Sequence, residues 1–327
     1  MGHRFASMVH AIEATYGAVM EAPDAVDLAN RYAGVLLGLA CGDALGGPVE
    51  FQSRDAIAAR YPTGLREFVG GGWLNLAPGE VTDDTQLTLA LCRALGADGL
   101  DLDALAAEFI AWYDSGPKDI GHTTRAALAA LKAGTPPTES GEAARRAVGP
   151  GKAASNGAVM RCAPVALRFR GNRQAMGTAS LASARVTHAE SRAAWGTVAV
   201  NQAITHLVGD GSISDLPAAA TEGIDEPEVR AAVLAASTLA PVDIRANGFV
   251  IGTLRGAFWA LLAHDDAESA IVAAVGLGDD TDTTGAVAGA LAGARYGKSG
   301  LPIRWLDALH RRSELEAESA RLLALAQ

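Results

Sequence analysis

The stretch GVLLGLACGDALG, residues 34–46, places glycine at 34, 38, 42 and 46, and GAVAGALAGARYG, residues 285–297, repeats the interval with Gly285, Gly289, Gly293 and Gly297. Positions four apart fall on one face of an α-helix, so each stretch reads as a helix carrying a bare stripe. An interior glycine costs a helix roughly 1 kcal/mol against alanine. A row of glycines makes sense where a second backbone must come close. The stripes predict two tightly packed helices; whether they serve packing alone or also carry site residues at their ends is open at this level.

Outward from these stretches the apolar periodicity stays helical. Helices are expected over 32–45, 52–60, 83–96, 101–113, 122–133, 174–186, 190–208, 227–238, 247–263, 266–275, 283–296 and 303–325. VGGGWLNLAPG at 69–79 reads as a loop, Pro136-Pro137 as a turn, and residues 149–156 as a loop before another helix. Very few segments alternate with period two, and aromatic residues make up only 5% of the chain; both argue against a sheet. No Pro/Ser-rich linker divides the chain. The expected architecture is all-α: a single compact multi-helix domain over 30–327, preceded by an extension over 1–29 that carries no recognisable chemistry.

With 327 residues, 49% of them hydrophobic, the chain can bury a large core. Its formal net charge of −10 argues against nucleic acid or a membrane surface as the principal partner. Cys41, Cys92 and Cys162 are odd in number and form no CxxC, which fits reduced thiols rather than disulfides or zinc. No stretch reads as long and apolar enough to span a membrane, and Glu13 and Glu21 interrupt any leader-like pattern. A cytoplasmic monomer is the expectation.

Two clusters of oxygen ligands stand out. Val81-Thr82-Asp83-Asp84-Thr85 precedes one apolar helix, and Gly278-Asp279-Asp280-Thr281-Asp282-Thr283-Thr284 precedes the second striped helix. Capping is one reading, since Asp and Thr are favoured N-caps and acids in the first turn suit the helix dipole. Yet one cap needs one side chain, and crowded carboxylates repel unless a cation neutralises them. Oxygen-only ligands point to Mg²⁺ or Mn²⁺, and two clusters could hold two divalent ions. A P-loop reading of Gly297-Lys298-Ser299 fails, because Ala292 stands where that motif needs glycine.

Taken in order, GLACGDALGGPVEF at 38–51, VTDDTQLTLAL at 81–91, SGPKDIGHTT at 115–124, SNGAVMR at 155–161, THAESRAA at 187–194 and GDDTDTTGAVAGALAGARYG at 278–297 resemble the ADP-ribosylglycohydrolase family over roughly residues 31–300. The 115–124 segment is most similar to the branch of dinitrogenase reductase-activating glycohydrolases, which act on ADP-ribosyl-arginine. The resemblance implies an all-α fold with two Mg²⁺ or Mn²⁺ ions at the bottom of a cleft. It implies an N-glycosyl hydrolase that takes an ADP-ribosylated protein and releases ADP-ribose. Carried over residue by residue, the metal ligands would be Thr82, Asp83, Asp84, Asp280, Asp282 and Thr283. Glu50 matches an acid that contacts the ribose or the reacting water, and Asp119 an acid that assists cleavage at the ribose. Ser155, Asn156, Gly157, Met160 and Arg161 match a loop lining the ADP-ribose cleft, where backbone N–H groups could hold the pyrophosphate. Gly278 would belong to a phosphate loop, and His188 matches a substrate-facing histidine.

Three positions depart from the family pattern. Asp279 stands where members often carry glycine, and His122 where the nearest branch can have asparagine. Phe249 stands where a tyrosine stacks on the adenine; stacking survives that change but a hydroxyl contact does not. Two alternatives accompany the hydrolase reading. One is a non-catalytic ADP-ribose-binding relative, and the other is an immunity protein against an ADP-ribosylating toxin, acting by hydrolysis or through residues 1–29. The complete set of acids favours the hydrolase.

Overall fold

The two glycine stripes close on each other. In the computed structural model, which describes residues 24–149 and 151–326, α1 (Asp24–Gly46) and α14 (Thr281–Tyr296) run antiparallel along the centre of the molecule. A Cβ placed on Gly34, Gly38 or Gly42 would collide with the carbonyl oxygen of Gly293, Gly289 or Gly285, and the reverse substitutions meet the same three partners. Gly46 faces the backbone of Thr281 and Asp282, so the seam ends where the second carboxylate cluster begins. Gly297 has a different role: at φ +69° it ends α14, beside the side chain of Asn30. At that end the Arg31 guanidinium donates to the carbonyls of Leu207, Ala294 and Arg295, which satisfies acceptors that a helix C-terminus leaves open.

One expectation needs correcting. Residues Leu28–Val49 are long and apolar enough for a membrane span by length and composition, with a mean hydropathy of 1.3, and 94% of that window is buried inside the fold. The same apolarity that would suit a bilayer here serves a helix covered on all sides by protein.

The remaining helices pack around this pair. They are α2 (Arg54–Arg60), α3 (Asp83–Arg93), α4 (Leu102–Asp114), α5 (His122–Lys132), α6 (Pro137–Val148), α7 (Ala163–Arg168), α8 (Arg173–Arg185), α9 (Ser191–Val208), α10 (Leu216–Thr221), α11 (Pro227–Ala235), α12 (Val250–Ala263), α13 (Ala267–Val275), α15 (Ile303–Ala308) and α16 (Arg312–Leu325). α9, α12 and α13 flank α14, and α16 lies against α1. One apolar core runs through Tyr32, Phe109, Phe258 and Trp305, all fully buried. The architecture is all-α and forms a single domain. Among the described residues the sheet is limited to a hairpin of two-residue strands, Leu95–Gly96 with Gly99–Leu100.

Most expected helices are present, and the differences have local causes. Pro136-Pro137 does not merely turn the chain: Pro137 opens α6, where its missing N–H costs nothing. The helix expected to reach residue 96 ends at Arg93, and the hairpin follows. The single helix expected over 303–325 is two, broken at Arg311, whose φ is +62°. α10, only six residues long, gave no periodic signal. α1 crosses the expected 29/30 boundary without a break; residues 1–23 of the expected extension lie outside the described residues.

Candidate active site and metal centre

The site is assembled from the ends of α1, α3 and α14 and from the loops that carry Glu50, Trp73, Asp119, Asn156 and His188. Its first element is a carboxylate on the striped helix itself. Asp43 is fully buried. Its oxygens accept the amide of Thr82 (3.0 Å), the Thr82 hydroxyl (2.8 Å), the amide of Thr85 (3.1 Å) and the Thr85 hydroxyl (2.5 Å). Thr82 is the N-cap of α3 but makes no capping bond with its own side chain. The cap comes instead from another helix, and it fixes where Asp83 and Asp84 point. Burial raises the Asp43 carboxyl to about 6, against the pull of the Thr85 and Thr82 hydrogen bonds.

The second cluster is equally buried. Asp280, Asp282 and Thr283 are each less than a tenth exposed. The Asn156 amide donates to Asp280 Oδ2 and to Thr253 Oγ1, both at 2.9 Å, and the Thr283 amide donates to Asp282 Oδ1 at 2.8 Å. Carboxylate oxygens of Glu50, Asp280 and Asp282 lie within 4.8 Å of one another. Thr283 Oγ1 stands 3.5 Å from Asp84 Oδ2, which brings the two clusters together.

This arrangement fits divalent cations. Burial first, and neighbouring carboxylates second, hold Asp83, Asp84 and Asp282 well above the usual carboxylate range. Among the described residues none of Asp43, Glu50, Asp83, Asp84, Asp280 or Asp282 takes part in an ion pair. Asp84 Oδ1 is buried with no hydrogen-bond partner at all. An orphaned carboxylate oxygen inside a protein is costly, and a cation is the group that relieves it. The hard oxygen donors suit Mg²⁺ or Mn²⁺.

Over the acids opens a cavity of about 770 Å³, lined among others by Glu50, Asp83, Asp119, His122, Ser155, Asn156, Gly157, Met160, His188, Asp280, Asp282 and Thr283. Glu50 follows a short 3₁₀ turn at Gly47–Val49. Its carboxyl accepts the Trp73 indole N–H at 2.6 Å. Burial raises Glu50 to about 8; the Trp73 bond opposes this, and Asp280, Asp119 and Asp83 add to it. Asp119 gives one oxygen, Oδ1, to the amide of Ile120 at 2.7 Å. It too is raised, by burial more than by Asp280.

The 155–161 loop is braced by a directed chain of hydrogen bonds. Arg161 donates to Thr187 Oγ1 at 2.6 Å. The Thr187 hydroxyl is then free to donate to His188 Nδ1 at 2.7 Å, His188 Nε2 to Ser155 Oγ at 2.9 Å, and Ser155 to Thr123 Oγ1 at 3.1 Å. This order requires the neutral Nε2–H tautomer. Burial, and then the Arg161 charge, lower His188 to about 3, in agreement.

Several expected roles change. Arg161 is buried, off the cavity wall, and stacked 4.6 Å over Phe109; it props the loop and does not face the cleft. His188 reaches the wall, but both ring nitrogens are spent inside the protein. Gly278 does not line the cavity: at φ +79° it lies against the backbone of Gln52–Arg54. Phe249 also lies off the wall, with Arg192 5.2 Å over its ring. Thr82 and Asp84 sit beneath the floor, and Asp83, Asp280, Asp282 and Thr283 form it. The sequence reading missed Asp43, Phe51, Trp73, Thr123 and Lys152. Asp43 had a signal, a lone acid within an apolar glycine-striped helix; Trp73 and Lys152 sit in loops whose course no periodicity reveals.

Comparison with known proteins places this geometry. The sequence profile of the ADP-ribosylglycohydrolase family matches residues 24–327. The chain is 34% identical to the ADP-ribosyl-[dinitrogen reductase] glycohydrolase of Rhodospirillum rubrum, over 91% of this chain and 97% of that protein. It is 32% identical to the ADP-ribosylarginine hydrolase Tri1 of Serratia proteamaculans, over 91% of this chain and 80% of that one. A solved structure described as an ADP-ribosylglycohydrolase-related protein complex superposes with a TM-score of 0.79 at 34% identity, covering 92% of this chain and 99% of the other.

Proposed function

The chain belongs to the ADP-ribosylglycohydrolase family, a family of hydrolytic enzymes, and from that premise we propose that it cleaves the N-glycosidic bond between ADP-ribose and an arginine side chain of a modified protein with the help of two divalent ions, Mg²⁺ or Mn²⁺. The observation that carries the reading is the floor of the cleft: buried carboxylates from two helix N-termini converge there with no ion pair among the described residues, and one of their oxygens has no hydrogen-bond partner.

Thr82, Asp83, Asp84, Asp280, Asp282 and Thr283 would hold the ions, with Glu50 close enough to Asp280 and Asp282 to join them. When bound, such ions polarise ribose hydroxyls and lower the pKa of a water. The chain's own residues do the rest. Asp119, raised above its ordinary value by burial, has one oxygen not engaged by Ile120, and from a proton carried there it would protonate the departing guanidino nitrogen. Glu50, raised to about 8 by burial and the neighbouring acids, would take the proton of the attacking water once ions bound at the floor have displaced its own. The surrounding carboxylates stabilise positive charge as it builds at the anomeric carbon. Asn156 orients Asp280, and the His188–Ser155–Thr123 chain keeps the loop in place. Lys152, exposed on the wall, is the cation available to the diphosphate. The reading takes the enzyme as a cytoplasmic monomer, in keeping with three free, buried cysteines.

The test is release of ADP-ribose from an arginine-ADP-ribosylated protein in Mn²⁺, Mg²⁺ or EDTA, beside Asp282→Ala. Release that needs a divalent ion and disappears in the variant supports the proposal. No release from a folded, metal-loaded protein overturns the arginine linkage, and the same silence on serine-linked substrate leaves a binding protein.

A further inference from the structure

Phe51 and Trp73 are the two aromatic residues among the exposed large apolar side chains described, 67% and 53% exposed, and both line the cleft. Their rings lie 5.5 Å apart at 40°. Exposure of Phe51 is held at a backbone cost: its φ is +63°, a region that bulky residues avoid. The conformation is pinned by its amide, which donates to the Asp279 carbonyl at 2.7 Å, while Asp279, itself at φ +60°, donates to Gln52 O at 2.9 Å. Strain of this kind persists only where the surroundings enforce it, and it concentrates at functional sites. Trp73 is aimed in turn by its indole bond to Glu50.

The chemistry of this wall is one-sided. Phe51 follows Glu50 in the chain and meets Trp73, so two π-faces adjoin a carboxyl. Among the described residues Lys152 is the one lysine or arginine on the cavity wall, and it comes from a different stretch, after α6. Lys118, which reaches the Asn75 carbonyl two residues from Trp73, is off the wall and paired with Glu80, so among the described residues no free lysine or arginine of the wall belongs to the Phe51 and Trp73 segments to meet a diphosphate. A planar cation does have partners there: aromatic faces and carboxylates together are what a guanidinium selects.

We propose that Phe51 and Trp73 form the acceptor subsite, clasping the guanidinium of the modified arginine while Lys152 and the 155–157 loop take the ADP-ribose. This rests on the arginine-linked reading above. It makes the aromatic pair a specificity element: acceptors without a planar cation lose its contribution, and the scissile bond is placed between Glu50 and Asp119.

Two measurements on the Mg²⁺-loaded protein test it, the first alone in saturating ADP-ribose. Agmatine, a guanidinium probe on a short aminoalkyl chain, is titrated against intrinsic fluorescence, with butylamine as the control for its ammonium group and Trp73→Phe as the blank for the other tryptophans. A saturable change in the wild type, absent in the blank and weakened several-fold in Phe51→Leu, is expected. In parallel, KM for an ADP-ribosyl-arginine peptide should rise about tenfold in Trp73→Leu and in Phe51→Leu, less in Trp73→Phe, while the calorimetric Kd of ADP-ribose stays within twofold. No saturable signal, or an unchanged KM in the Phe51→Leu/Trp73→Leu double variant, overturns the subsite. KM and ADP-ribose Kd rising together also overturn it, by moving the rings to the nucleotide. Agmatine binding without hydrolysis of the arginine-linked peptide leaves the subsite standing and overturns the proposed reaction instead.

Discussion

Asp43 and Thr82 stand on different helices, 39 residues apart, and the Asp43 carboxylate holds both the amide and the hydroxyl of Thr82, at 3.0 and 2.8 Å. The N-terminus of α3 is thereby capped from α1, and the acids that follow Thr82 inherit their direction from a residue that need not touch a cation. Asp43→Ala leaves two amides and two hydroxyls of Thr82 and Thr85 without their acceptor. We expect a loss of about 3 kcal/mol in chemical denaturation and at least a tenfold weaker divalent-ion affinity by calorimetry, with Asp43→Asn intermediate. Wild-type metal affinity in a folded Asp43→Ala protein would show that Thr82 and Asp83 orient themselves.

The helix seam predicts a reversal of the ordinary glycine rule. Gly177, on α8, has open space where a Cβ would go, so Gly177→Ala should stabilise by about 1 kcal/mol, the usual helix-propensity gain. Gly42→Ala and Gly289→Ala drive a methyl into the opposing backbone and should cost about 3 kcal/mol or more. Thermal melts of the three variants decide it.

Stability without metal should depend on pH in a defined sense. Folded-state values for Asp43 (about 6) and Glu50 (about 8) lie above the ordinary carboxylate range, as do those of Asp83, Asp84 and Asp282, chiefly through burial. Protonation therefore favours the folded state: the contribution is full below about pH 4 and is lost as pH rises through the folded values. The melting temperature in EDTA should fall between pH 5 and pH 8. Saturating Mn²⁺ should flatten or reverse that slope, because the ion takes the protons' place. A slope unaffected by Mn²⁺ would disconnect these acids from the metal.

His188 acts in the opposite sense. Its folded value of about 3 lies below the ordinary histidine value, through burial and Arg161, so its contribution is present above about pH 6.5 and is lost as pH falls toward 3. His188→Gln should be about 1–3 kcal/mol less stable at pH 7, and the gap should close on acidification. Nitrogen NMR should find the Nε2–H tautomer at neutral pH; an imidazolium signal at pH 6 would break the proposed hydrogen-bond direction.

Much of this was legible in the sequence because it is periodic or clustered. The two stripes announced α1 and α14, and the Asp/Thr runs marked the ends of α3 and α14. The sequence was less informative where a role depends on direction. Arg161 and Gly278 belong to the motifs but turn away from the cleft, since a three-residue 3₁₀ turn at Val159–Arg161 and a positive φ at Gly278 set their aim. Trp73 reaches Glu50 across a loop containing three consecutive positive-φ glycines, Gly70, Gly71 and Gly72. A loop's path is decided by such dihedrals, and no spacing rule exposes them.

The central seam has a consequence for how the protein is made. Thr281 donates its hydroxyl to the Gly46 carbonyl across 235 residues of chain, and although Asp43 meets Thr82 after 39 residues, the glycine face of α1 packs on α14. Pairing over such a separation is slow, since loop closure must precede the contacts that reward it. On the ribosome the glycine face of α1 must wait until α14 has emerged. A nascent chain halted before Thr281 carries Thr82, Asp83, Asp84 and Asp280 but neither Asp282 nor Thr283, so the proposed ion site is completed only late in synthesis.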